Sequence, residues 1–196
     1  WRSFPSAARV AANLFEDRLD LSDLESALYW TDKLDSGDIT RNEYLSDEPM
    51  VWIGRCLGVS EGVALRVLEF FTEGYCIDDI ASDVLVSDAI STRKTENEIL
   101  AREIESRIEI IDRMAIVRMN DLGMRSNGYA ITAFAGDDCD ACMIIHGSLD
   151  GSFDNGLEYP VSASFYTNSF LHKNGGLFDL TKLATSFDVD GGGHRD

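Results

Sequence analysis

Apolar residues recur along this chain with a helical spacing up to about residue 112 and with a period of two after it. A chain patterned in that way builds helices first and a sheet second, which predicts an α+β architecture rather than a bundle or a sandwich. Five segments carry the helical period. In "PSAARVAANLFEDRL", Val10, Leu14 and Phe15 fall on one face after a Pro5-Ser6 start. "LSDLESALYWTDKLD" places Leu24, Ala27 and Leu28 along a stripe, with Ser22 as the expected N-cap and Gly37 as its stop. "DEPMVWIGRCLG" and "SEGVALRVLEFFTEG" read as two shorter helices, the second capped by Ser60, buried through Val63, Val67, Phe70 and Phe71, and stopped by Gly74. The longest, "SDAISTRKTENEILAREIESRIEIID", turns Leu100, Ile104, Ile108 and Ile111 to one side.

The strand-like runs beyond residue 112 are "RMAIVRMN", "YAITAFAG", "ACMIIHGS" and "YPVSASFYT", separated by Gly/Asp/Asn clusters. "DGSFDNG" reads as a hairpin loop, and "FDLTKLATSF" as a late helix with Asp179 as N-cap and Leu180, Leu183 and Phe187 inward. The expected layout is thus a helical first half followed by a small mixed sheet domain carrying a late helix, divided near residues 110–115. With 196 residues the chain is long enough for one good core or two small ones. No run approaches the roughly 18 consecutive apolar residues of a membrane span.

Charge narrows the function. The net charge is −18, with 4 lysines against 13 arginines and 22 aspartates against 13 glutamates. Such a surface repels long nucleic-acid backbones, so a nucleotide site would have to be a local pocket. Cys56, Cys76, Cys139 and Cys142 are few and scattered, which suits a reduced cytoplasm.

Several constellations could carry chemistry. Cys139 and Cys142 with His146 offer soft zinc ligands, yet a fourth ligand is missing and strand alternation already explains Cys142 and His146. The aspartates of the 150–154 loop fail the EF-hand pattern and read as solvated turn residues. In "DKLDSGD", Asp32, Asp35 and Asp38 crowd a predicted helix C-terminus, where each carboxylate opposes the macrodipole at about 0.3–1 kcal/mol. Either a solvated helix end in an acidic chain or a cation site accounts for them. The terminal "DVDGGGHRD" is either a glycine-rich tail or a phosphate cradle, because glycine amides approach an anion closely and His194 and Arg195 add donors.

The sequence "SASFYTNS…FDLTKLATSFDVDGGGHRD" resembles the pattern DVSKIAKxFGGGGHxxAAG of the substrate-binding domain that accompanies DHH-family phosphoesterases. Asp179, Lys182, Leu183, Ala184 and Phe187 match in register, followed by Gly191, Gly192, Gly193, His194 and Arg195. Val189-Asp190 stands where a fourth glycine is common, and the sequence stops where the family continues Ala-Ala-Gly. "FPSAARVAANLF" is similar to the Ser-Ala helix that follows the DHH motif, and "WTDKLDSGD" to the fourth metal-binding motif.

The resemblance implies an α/β enzyme, α+β over these residues. Residues 1–45 would end the DHH catalytic lobe, 46–112 would be a helical linker, and 113–196 the DHH-associated domain. It implies a centre of two Mn²⁺ or Mg²⁺ ions with Asp35 as a ligand and Asp32 beside it. Gly191, Gly192, Gly193, His194 and Arg195 would bind substrate phosphate, with Ser162 and Ser164 lining the pocket. The implied reaction is hydrolysis of phosphodiester or phosphoanhydride bonds in small nucleotides, oligoribonucleotides or polyphosphate, by a cytoplasmic protein that contacts no membrane and could form a homodimer. The chain has three histidines and no DHH. The motif is therefore expected upstream of Trp1, no catalytic residue is assignable, and these residues alone are expected to be inactive. The alternatives are a nucleotide-binding module without a metal centre, and an acidic interaction domain in which both motifs are coincidental.

Overall fold

The computed structural model describes residues 4–58, 60–120, 122–148, 152–153, 157–158, 161–173 and 176–192. The chain packs as two compact units, Trp1–Asn97 and Glu98–Asp196. No helix among the described residues is long and apolar enough to cross a membrane.

The first unit is helical: α1 (Ala7–Phe15), α2 (Glu25–Ser36), α3 (Arg41–Tyr44), α4 (Pro49–Cys56), α5 (Glu61–Thr72), α6 (Ile77–Ser82) and the start of α7 (Val84–Arg107). Its core is Ile53, Cys56, Val63, Val67, Phe70, Ile80 and Val86. Burying side chains of this size stabilises by about 1.5–3 kcal/mol each. The helix ends follow local chemistry. Ser60 accepts the Val63 amide at the start of α5. Thr40 and Glu43 form a reciprocal capping box on α3. Gly37 closes α2 at φ 72°, and Gly74 follows α5 at φ 79°, the left-handed geometry that glycine takes without a Cβ penalty. Ser22 is not a cap: it opens a 3-10 turn over Ser22–Leu24, and its amide is satisfied by Asp20 Oδ1.

In α1 the expected inward face is exposed, Leu14 at 72% and Phe15 at 46%. The helix meets α2 through polar atoms instead, Ser6 and Arg9 reaching Asp32.

The second unit is a four-stranded sheet in the order β1 (Ile108–Ile111), β2 (Met114–Arg118), β3 (Ala141–His146), β6 (Ser162–Thr167). β1 and β2 are antiparallel, β2 and β3 parallel, β3 and β6 antiparallel. A second antiparallel pair, β4 (Ser152–Phe153) and β5 (Leu157–Glu158), forms where the hairpin is expected. "YAITAFAG" is not a strand: it is the body of α8 (Gly128–Ala135), capped by Asn127. The parallel pair requires a crossover that no tight turn can supply, and this apolar helix is that crossover. β1 emerges from the end of the long periodic segment, because Ile108, Glu109, Ile110 and Ile111 pair with Val117, Ile116, Ala115 and Met114. Leu100, Ile104 and Ile108 pack with Ala115, Val117, Cys142, Ile144, Ile131 and Tyr166 into one core. α9 (Leu180–Phe187) follows, capped by Asp179 and packed on β6. Phe187, expected inward, is 78% exposed.

The β1–β2 hairpin turns on Asp112 (φ 46°) and Arg113 (φ 65°), two non-glycine residues in the left-handed region. Arg113 is held there by a bidentate pair with Asp140, at 2.7 and 2.8 Å, while its own carbonyl accepts the Asp140 amide. His172 Nε2 meets Asp140 Oδ1 at 3.0 Å. Hydrogen bonds from Arg113, then from His172, hold the Asp140 carboxyl down at about 2, from an ordinary 3.8. The folded state thus favours the carboxylate, so this contribution is complete above 3.8 and is lost as pH falls through about 2. Asp140→Asn is expected to lower the melting temperature near neutral pH, with the two curves converging toward pH 2. Thermal unfolding followed across that range checks it, and parallel curves at all pH values would contradict it.

Candidate functional site

Two places in the chain hold the residues singled out from the sequence, one in each unit. In the first unit, Ser6 caps α1 by accepting the Arg9 amide at 3.0 Å. Its hydroxyl donates to Asp32 Oδ1 at 2.5 Å, and Arg9 Nε donates to Asp32 Oδ2 at 2.8 Å. The same guanidinium bridges to Glu25 at 3.1 to 3.2 Å. Burial pushes against ionisation of Asp32, but the hydrogen bonds from Ser6 and Arg9 win and lower its pKa. Asp32 is therefore an ionised carboxylate with both oxygens engaged, oriented by α1.

Asp35, one turn further along α2, is exposed with no partner among the described residues. Gly37 ends the helix just beyond it. Asp35 has open oxygens and Asp32 retains some acceptor capacity, but two carboxylates do not complete a divalent-cation shell. Among the described residues no group of three or more His, Cys, Asp or Glu side chains converges as a metal site would require. The donor set present does not close around a metal.

The second place is the sheet edge and the glycine run. Ser162 and Ser164 alternate on one face of β6, opposite His146 and Ile144 in register. Ser162 is exposed and Ser164 half-buried. α9 ends at Asp188, whose amide bonds back to Ala184, and Gly191 then folds over that end, donating its amide to the Asp188 carbonyl at 2.9 Å. A Cβ on Gly191 would lie 2.7 Å from the Ala184 oxygen, so glycine is required there by close approach. That amide is already used, which removes it from any anion cradle. Gly192 stands in open space. Gly193, His194 and Arg195 lie outside the described residues.

His146, expected on a strand face, and His172, to which the sequence assigns no role, both lie among the described residues. His172 belongs to the Asp140 clamp. His146 is 4% exposed at the end of β3. Its Nδ1 is buried with no hydrogen-bond partner among the described residues. Burial, with Arg125 adding repulsion, lowers its pKa and keeps the ring neutral. Cys139 and Cys142 are buried free thiols, and burial raises Cys142 to about 12. They are core residues rather than ligands or nucleophiles. Asn168 was not legible as important: its buried side-chain amide donates to the Gly136 and Cys139 carbonyls at 2.9 and 2.8 Å, tying the end of β6 to the entry of β3.

Two contrasts follow. Gly191→Ala is expected to destabilise by about 1–3 kcal/mol, since backbone must move, whereas Gly192→Ala should stay within about 0.5 kcal/mol. Asp32→Ala, which strands the Ser6 hydroxyl and half of the Arg9 fork, is expected to cost about 1–3 kcal/mol, and Asp35→Ala again within about 0.5 kcal/mol. Urea unfolding of the four variants checks both; equal losses within either pair would contradict the assignment.

No family model matches the sequence, and no curated protein matches it. Among solved structures the chain is similar to PggH from Vibrio cholerae, a pGpG-specific phosphodiesterase, with a TM-score of 0.76 and 16% sequence identity. The match covers 97% of this chain and 65% of that one, so the chain spans about two thirds of that protein's length. At that identity the likeness is one of fold: these helices and this four-stranded sheet are built as they are in a dinucleotide phosphodiesterase.

Proposed function

We propose that the chain is part of a phosphoesterase of the DHH type that hydrolyses phosphodiester or phosphoanhydride bonds in small nucleotides, with a dinucleotide such as pGpG as the first substrate class to test. The observation that carries this reading is the fold match, which runs over 97% of the chain. The sequence motifs support it independently, since they fall in both units and not in one.

In this reading residues 1–45 end the catalytic lobe and residues 113–196 form the substrate-binding domain. Asp35 is offered as one carboxylate of a Mn²⁺ or Mg²⁺ centre whose other ligands are not among the described residues. When bound, such ions would supply Lewis-acid stabilisation of the negative charge that develops on the phosphoryl and leaving-group oxygens. Asp32 acts through orientation, because Ser6 and Arg9 fix its carboxylate relative to the last turn of α2. Ser162, Ser164 and Gly192 are proposed to receive the terminal phosphate, with Gly193, His194 and Arg195 supplying further donors. Gly191 serves by shaping the turn, since its amide is occupied. The acidic total repels long duplexes and leaves short, end-held substrates as the fitting class.

A second reading, a nucleotide-binding module that does not turn over, is favoured by one observation: both oxygens of Asp32 are already engaged. Incubating the full-length protein that carries these residues, including any segment upstream of Trp1, with pGpG and Mn²⁺, with chromatography of the products, separates the two. GMP accumulating in proportion to enzyme supports hydrolysis. Saturable pGpG binding without product supports the module, and neither binding nor product contradicts both.

A further inference from the structure

Six arginines of this chain pair with carboxylates: Arg9 with Asp32 and Glu25, Arg66 with Asp83, Arg93 with Glu96, Arg102 with Glu98, Arg107 with Glu103, and Arg113 with Asp140. Arg55 departs from that pattern. It sits on α4 with its guanidinium carbon 4.3 Å from the centre of the Tyr44 ring and 4.4 Å from that of Trp52. One N–H, on Nη2, donates to the Tyr44 carbonyl at 2.6 Å. Among the described residues it has no carboxylate partner, in a chain with 35 acidic side chains.

Contact with the two rings restrains the guanidinium without consuming its N–H groups, which keeps the remaining donors pre-organised. A second cation shares the same indole: Lys94 Nζ lies 5.2 Å from the Trp52 centroid. Its own ion-pair partner, Asp47, is 86% exposed, and such surface pairs yield readily. Arg93 Nε reaches the Arg55 carbonyl at 3.2 Å and braces the helix there. Burial lowers the Arg55 pKa, so the charge is held at a cost that a counter-anion would offset.

We propose that Arg55 and Lys94, assembled on Trp52, form an anion site for a phosphate group, either free phosphate or the terminal phosphate of a nucleotide. The Tyr44 carbonyl takes one guanidinium N–H and the Tyr44 side chain also hydrogen-bonds the group, while no carboxylate among the described residues takes the rest of the fork. The Arg55 fork and the Lys94 ammonium, both against the same indole, offer the donors and positive charge that the several oxygens and double charge of a phosphate require. The site lies within the first unit and depends neither on the glycine run nor on turnover.

The test follows the Arg55 Nε–Hε resonance of the intact chain by NMR, at constant ionic strength, with inorganic phosphate, pGpG without metal, or chloride. A saturable shift with inorganic phosphate identifies a free-phosphate site; one with pGpG alone identifies a nucleotide phosphate. No shift with either, or the same shift with chloride, overturns the proposal. Arg55→Lys, which keeps the charge and loses the fork, is expected to weaken binding about tenfold, and Lys94→Met about threefold. Lys94 is half-buried against Trp52, and methionine keeps an apolar stem there, so its variant tests the site even where Arg55→Lys perturbs packing. Unchanged affinity in Lys94→Met, with its thermal unfolding intact, would also count against the site.

Discussion

Two parallel neighbouring strands cannot be joined by a tight turn, and the second unit is organised by that constraint. β2 and β3 run in the same direction, so the chain between them must climb back across the sheet, and α8 is how it does so. Once α8 is a helix, its apolar residues need a sheet face to bury against. Ala115, Val117, Cys142 and Ile144 supply it. The small side chains matter, because Gly128 lies so near Tyr166 that a Cβ there would approach to 2.4 Å. β6 then adds on the far side of β3, which brings Ser162 and Ser164 beside His146 and Ile144 on the same face of the sheet. The Arg113–Asp140–His172 clamp and the Asn168 amide pin the other end of the same strands. The candidate phosphate-binding residues are thus placed by strand order.

Charge placement follows a consistent logic through both units. The chain carries an excess of carboxylates, and its arginines are used to hold them: Arg9 orients Asp32, and Arg113 both holds Asp140 and occupies a left-handed turn position. Glu43, although burial opposes its charge, is lowered to about 2 by hydrogen bonds from Lys33 and Thr40, so that α3 is fastened to α2 through one carboxylate. Arg55 is held differently, by the rings of Tyr44 and Trp52.

Much of the fold was legible because its signals are local. Ser60, Asp179, Gly37 and Gly74 act where cap and stop chemistry places them, since one side chain or one missing Cβ decides the outcome. The errors came where tertiary context overrides local preference. "YAITAFAG" has strand-like composition, yet topology makes it a helix. "IEII" continues a helical stripe and still unwinds into β1, because pairing with β2 satisfies its backbone. Val10, Leu14 and Phe15 have helical spacing but stay exposed, since α1 meets α2 through Ser6 and Arg9. At the candidate site, the costly aspartates were visible as charges at a helix end, whereas the engagement of Asp32 by residues 23 and 26 positions away was not. The glycine run was visible as a motif, but nothing in the sequence revealed that the Gly191 amide is consumed by the turn it makes.

Hydrogen–deuterium exchange of the intact chain with and without pGpG tests most directly the claim that this fold grips a short nucleotide through its second unit. Protection that appears on pGpG addition in peptides spanning residues 161–167 and 188–196, and is absent with guanosine, is the predicted result. Unchanged exchange in both peptides at saturating pGpG would contradict it.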